Sequence, residues 1–196
     1  MRKAAVEKSI SVDEYLALEA RAKHRHEYMD GELFLMAGSS RRHSRIASNI
    51  GGELYGQLKG KNCEVHYGDL RLRVRTTHYV YGDVSVFCGE PEFEVYKETE
   101  TLLNPKIVFE VLSKSTEARD RGDKAEDYRR IPSLTEYFFV SQNKILVEHY
   151  LRQDDGSWKL IEYRDPADVI RLDSIGCELL VANIFGGVKM PKLHLV

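Results

Sequence analysis

Two runs rich in Val, Ile and Phe, Tyr81-Gly-Asp-Val-Ser-Val-Phe87 and Ile107-Val-Phe-Glu-Val-Leu112, are each interrupted by one carboxylate. Their composition predicts strands over Tyr79 to Phe87 and Lys106 to Leu112. Asp83 and Glu110 would then sit in apolar strands, where a charge is expensive to bury unless something positive meets it. Two such strands pairing side by side would suggest a shared cation, and Mg²⁺ suits one or two carboxylates completed by water and phosphate oxygens. An ion pair with an Arg for each carboxylate is the other reading, and spacing alone leaves both open.

The rest of the chain predicts a mixed sheet flanked by helices. Ser11-Val-Asp-Glu14 has the capping-box pattern and opens a short helix. Asp30-Gly31 predicts a hairpin turn. His43, Ile46, Ala47, Ile50, Leu54 and Leu58 form one helical stripe, weakened at Gly51-Gly52. Leu70, Leu72 and Val74 alternate with charged residues, as in a half-buried strand whose Arg71, Arg73 and Arg75 face solvent or track DNA. Residues 89 to 105 read as an acidic connector, and residues 116 to 130 as a charged helix that Pro132 ends. A strand meander then follows over Glu136 to Val140, Ile145 to Leu151 and Trp158 to Tyr163. Regular strand–helix alternation is absent, which excludes a doubly wound fold and leaves α+β, in one domain spanning residues 1 to 196.

Charge and cysteine usage narrow the function classes. The formal net charge is −2, so no global basic field holds a polyanion and any nucleic-acid contact must be local. No segment is apolar for long enough to span a bilayer, and the charged start lacks the apolar run of a signal peptide. Cys63, Cys88 and Cys177 are odd in number and lack metal-ligand spacing, which predicts reduced thiols in a cytoplasmic protein. His24 and His26 have no third ligand at suitable spacing. Arg41, Arg42 and Arg45 either grip phosphates or simply charge the surface.

In the charged helix, Asp120, Lys124 and Tyr128 fall at i, i+4 and i+8 and share a face. The polar turn after Glu110 would feed this helix from the strand end and let that face look back at the carboxylates. Asp83-Val, Glu110-Val-Leu-Ser113, Ser115-Thr116, Asp120, Lys124, Tyr128 and Glu136-Tyr137 together resemble the Uma-type family of putative restriction endonucleases, within the PD-(D/E)XK nuclease superfamily. Ser11-Val-Asp-Glu-Tyr15, Glu27 before the Asp30-Gly31 turn, His43 and Ile184-Phe185 resemble it too, so the likeness covers roughly residues 11 to 188.

The resemblance implies a restriction-endonuclease-like mixed β-sheet and Mg²⁺- or Mn²⁺-dependent hydrolysis of DNA phosphodiesters. Asp83 and Glu110 match the two acidic motif positions and would hold the metal; Glu27, His43, Asp120 and Tyr128 would support them. The superfamily lysine normally stands two residues after the glutamate, where this chain has Leu112. The resemblance points instead to Lys124 on the following helix, with Lys114 as its rival. Gly82 replaces the usual proline before the aspartate, Lys114 the proline after Ser113, and Ser141 an acidic residue. A homodimer would suit cleavage of both strands. A nuclease-fold protein that binds nucleic acid or a protein partner without cutting is the alternative, kept open by the weak net charge and the acidic connector.

Overall fold

The computed structural model describes residues 9–36, 38–113 and 116–191. The architecture is α+β, with two six-stranded sheets and a two-stranded one, flanked by helices. The first sheet starts from a short helix, α1 (Val12–Glu19), closed by the reciprocal Ser11–Glu14 capping box. Its hairpin, β1 (His26–Met29) and β2 (Glu32–Leu35), turns at Asp30-Gly31, both with positive φ. β4 (Arg71–Arg75), β5 (His78–Tyr81), β7 (Phe93–Tyr96) and β8 (Thr99–Leu102) complete it in the order β2-β1-β5-β4-β8-β7.

The second sheet carries the more deeply buried strands. Its order is β12-β11-β10-β9-β6-β3, with β3 Cys63–Tyr67, β6 Val84–Cys88, β9 Ile107–Leu112, β10 Glu136–Ser141, β11 Val147–Arg152 and β12 Trp158–Tyr163. β9 and β10 run parallel and their neighbours antiparallel. Every residue of β9 is buried, because both of its faces are covered. Ile107, Phe109 and Val111 pack with Ile46, Ile50 and Leu54 of α2 (Arg41–Leu58). Val108 and Leu112 instead join Ala125 and Tyr128 of α4 (Ala125–Arg130) and side chains of the first sheet. A strand buried on both faces reads as a continuous apolar run, so the carboxylate within it stands out.

Four expectations need correcting. The run from Tyr79 to Phe87 is not one strand: it breaks at Gly82-Asp83, and the chain passes there from β5 in one sheet to β6 in the other. A Cβ at Gly82 would lie 2.8 Å from Val108 Cγ1, so Val108 occupies the space that a side chain here would take. The acidic connector contains the β7–β8 hairpin. Arg71 is not solvated: it is buried, its Nε donates to Thr101 Oγ1 at 2.7 Å, and its guanidinium lies near the rings of Tyr15 and Tyr79. Cys63 and Cys88 are not free thiols; they are register partners on β3 and β6 joined by a disulfide, leaving Cys177 free and buried.

Two helical features position the cleft. Ser40 caps α2 by accepting the His43 amide, which fixes where the first turn points. At Gly51 the ring of Tyr67 lies against the helix so closely that an added Cβ would be 2.1 Å from its Cε1. Gly51 is therefore the slot in α2 that the Tyr67 ring fills. Between β9 and β10 the chain forms α3 (Glu117–Arg119), a π-helical stretch (Asp120–Lys124) and α4. π-Helical turns inside helices are frequent at functional sites. Among the described residues, no helix is long and apolar enough to cross a membrane.

Candidate active site

β6 and β9 pair antiparallel with Val84 opposite Phe109 and Ser85 opposite Val108. Asp83 lies in the bend just before β6 and accepts the amide of Val111, the residue after Glu110, so the two carboxylates meet at one end of this strand pair. Both line a cleft of about 660 Å³ with Glu27, His43, Asp120 and Lys124. Tyr128 does not line the cleft; it is buried behind it and its hydroxyl donates to Glu110 Oε1. All seven residues singled out in the sequence thus converge on one place. Lys114 lies outside the described residues.

Each carboxylate is engaged through one oxygen. Asp83 Oδ2 accepts the Val111 amide at 2.7 Å and lies 3.1 Å from His43 Nε2. Glu110 Oε1 meets Lys124 Nζ at 2.6 Å as well as the Tyr128 hydroxyl. Among the described residues, Asp83 Oδ1 and Glu110 Oε2 carry no hydrogen bond. Lys124 is the hub of the site. Its ammonium also lies 2.9 Å from Glu27 Oε1 and 3.7 Å from Asp120 Oδ1. Glu27, from β1, holds Arg119 through its other oxygen and accepts the Tyr81 amide at 3.3 Å.

Charge counting explains the titration behaviour. Four carboxylates (Glu27, Asp83, Glu110 and Asp120) face Lys124, Arg119 and His43. Burial pushes Glu110 well above the ordinary carboxylate range; Lys124 pulls against this, while Asp120, Asp83 and Glu27 add to it. Asp120 is raised for the same reasons, burial first. Burial alone would strip the proton from Lys124, but Glu110 and Glu27 reverse that and hold its pKa well above normal. Burial likewise opposes charge on His43, and the hydrogen bond and charge of Asp83 outweigh it, raising the imidazole pKa. With every group ionised, four carboxylates against three cations leave one negative charge, and a metal ion at the open oxygens would relieve the repulsion that raises Glu110.

The donor set fits a hard cation. Two carboxylates at one end of the β6–β9 pair, each with an oxygen to spare, match what Mg²⁺ takes from a protein. Among the described residues no group of three or more His, Cys, Asp and Glu is arranged to hold an ion. Water and phosphate oxygens would therefore supply the rest of the shell.

Sequence reasoning missed two residues here. Arg119 holds Glu27 and stacks over Phe34, yet in sequence it is one more charge on a charged helix. Gln142 lines the cleft, donates to the Leu112 carbonyl at 3.1 Å and accepts the Ser40 hydroxyl at 2.6 Å, and nothing in the sequence marked it. Several other charged and aromatic side chains have structural partners. His26 pairs with Glu19, Arg73 with Glu94 and Arg75 with Asp127. Trp158 packs on Tyr137 beneath Arg152.

Comparison with known proteins identifies the family and the fold. Residues 12–182 match the family Uma2, described as "Putative restriction endonuclease". An uncharacterized protein of Synechocystis sp. is 37% identical over 180 residues, covering 91% of this chain and 93% of the relative. A second from the same organism is 34% identical over 159 residues, covering 81% and 89%. The crystal structure of a "putative nuclease belonging to DUF820" from Anabaena variabilis superposes with a TM-score of 0.73 at 18% identity, covering 90% of this chain and 97% of that one. That likeness speaks for the fold, which is restriction-endonuclease-like. The chain belongs to the Uma2 family of putative restriction endonucleases.

Proposed function

We propose that the protein is a Mg²⁺- or Mn²⁺-dependent endodeoxyribonuclease, with Asp83 and Glu110 as metal ligands and Lys124 as the catalytic cation. The observation that carries this reading is that Asp83 and Glu110 line one cleft, Asp83 held by the amide next to Glu110, with Lys124 Nζ 2.6 Å from Glu110 Oε1. A metal held there would ionise water and offset charge on the scissile phosphate. The chain's own residues do the rest. His43 and the Val111 amide fix the rotamer of Asp83. Tyr128 and Lys124 fix Glu110. Glu27, braced by Arg119, and Asp120 aim the ammonium of Lys124 at the cleft, where it would stabilise charge developing on a phosphate oxygen. Two-fold pairing of chains would bring two such clefts to the two strands of a duplex, and light scattering tests that dimer. The cytoplasm is proposed as the location because the DNA substrate is there; the Cys63–Cys88 disulfide removes the reduced-thiol argument for it.

The deciding experiment is cleavage of plasmid and short duplexes by purified protein with Mg²⁺, Mn²⁺ or EDTA. Metal-dependent cutting that disappears in Glu110→Gln is the expected result. Equal cutting by both preparations would assign the activity to a contaminant. Binding without cutting in every metal would favour the non-cleaving alternative.

A further inference from the structure

A second pocket, of about 470 Å³, lies beside the catalytic cleft and is lined by Arg41, Arg42, Ser44, Arg45 and Ser48 of α2 and by residues 187–189. No carboxylate is among its lining residues. We propose that this pocket is a phosphodiester-backbone site, which grips a nucleic-acid strand on one flank of the position being cut. The proposal rests on the nuclease reading for its choice of polyanion.

What sets these cations apart is that four without a carboxylate partner line one pocket. Arg73, Arg75, Arg119, Arg121 and Arg130 each meet a carboxylate within 4.0 Å. Among the described residues, Arg41, Arg42, Arg45 and Lys189 form no ion pair. Helix stability does not account for them: three arginines at the start of α2, with no acidic residue in its first turn, oppose the helix dipole. The carbonyl bonds that two of these side chains or their neighbours make build the pocket. Asn49 Nδ2 donates to the carbonyls of Ile184 at 2.9 Å and Gly186 at 3.0 Å, and Arg45 Nε to Gly186 at 3.3 Å. They pin the segment that carries Lys189 against α2, so cations from two distant parts of the chain face one space. Gly187, at φ +72, keeps the wall thin where a Cβ would meet Arg45 Nη2 at 3.3 Å.

Its position indicates the ligand. Ser44 and Ser48 line both this pocket and the catalytic cleft, so the two are contiguous along α2. A strand whose scissile phosphate sits at Asp83 and Glu110 would carry neighbouring phosphates toward Arg41 and Arg45. In a chain of net charge −2 the contact must come from such a local patch. Backbone contacts of this kind position the nucleic acid and carry no sequence information.

The test is anisotropy of a fluorescein-labelled duplex titrated with Glu110→Gln protein over a series of salt concentrations. It is repeated with Arg41→Ala/Lys189→Ala added, whose two positions lie on separate segments. The added pair should weaken binding roughly tenfold, equally for unrelated sequences, and reduce the slope of log K against log salt by about 2. Thermal melting should be unchanged, and Arg41→Lys should restore most of the affinity. Unchanged affinity and slope, no duplex binding by the parent, or displacement of the duplex by equimolar polyglutamate would each overturn the proposal. Cleavage of the same duplex by the native chain is scored in parallel. Arg-dependent binding without cleavage would leave the backbone site standing and refute the nuclease reading; cleavage with no effect of the pair would do the reverse.

Discussion

Lys124 and Glu110 meet at 2.6 Å inside the protein, with each side chain less than a tenth exposed. Because Glu27 comes from the first sheet and Glu110 from the second, one ammonium also ties the two sheets to the helix between β9 and β10. Lys124→Ala should therefore damage more than chemistry. Removing one partner of a buried ion pair leaves an uncompensated charge and costs on the order of 3–5 kcal/mol. Urea unfolding should show that loss, and cleavage by the remaining folded protein should fall by roughly two to three decades. Wild-type stability together with wild-type cleavage would remove Lys124 from both roles.

Glu110→Gln should behave differently. Glutamine keeps the shape of Glu110 but removes one of the charges that Lys124 meets, while Glu27 still pairs with it at 2.9 Å. The variant's melting temperature should fall less than that of Lys124→Ala, while calorimetric binding of Mg²⁺ is lost. Asp83→Asn should weaken the same isotherm. Ca²⁺ should bind the native site yet support cleavage poorly, because its larger and looser shell suits the reaction less well. A Glu110→Gln isotherm equal to that of the native chain would place the ion elsewhere.

The His43–Asp83 contact gives the metal-free protein a defined pH dependence. The folded pKa of His43 is raised above its ordinary value of 6.5, so the stability it contributes is fully present below about that pH. It is lost as pH rises through the higher folded value. In EDTA, the melting-temperature gap between native protein and His43→Asn should be widest on the acidic side of neutrality and narrow toward alkaline pH. A gap that widened with pH would contradict the pairing.

The Cys63–Cys88 bond is open to a direct chemical check. Unfolded without reductant, the protein should expose one titratable thiol, Cys177; with reductant, three. Closing a loop with 25 residues of separation corresponds to about 3 kcal/mol in the chain-entropy view, so reduction should lower the urea midpoint. Three reactive thiols before reduction would rule the bond out.

Glu110 was legible because burial makes a charge in an apolar strand conspicuous; Asp83 was marked by the same argument although it sits in the bend that breaks its run. Periodicity put Asp120, Lys124 and Tyr128 on one helix face, but alone it favoured a solvated, salt-bridged face; the family resemblance turned that face toward the site. Tertiary features were not legible. The break at Gly82 is invisible in a continuous run of β-formers, since the space there is taken by Val108 on another strand. Arg71 looked solvated because its partners, Thr101, Tyr15 and Tyr79, are brought to it only by sheet assembly. The disulfide depended on the register of β3 against β6, which cysteine spacing does not encode.

The slot that Gly51 leaves for Tyr67 offers a handle for engineering. Tyr67 lines the catalytic cleft and keeps 45% of its surface exposed, so its ring, not the helix, is the part free to yield. One methyl group at position 51 would act as a wedge beneath that ring and retune the width of the entrance. Substrates of different girth could then be sorted by a neutral substitution, with every charged group of the site left as it is.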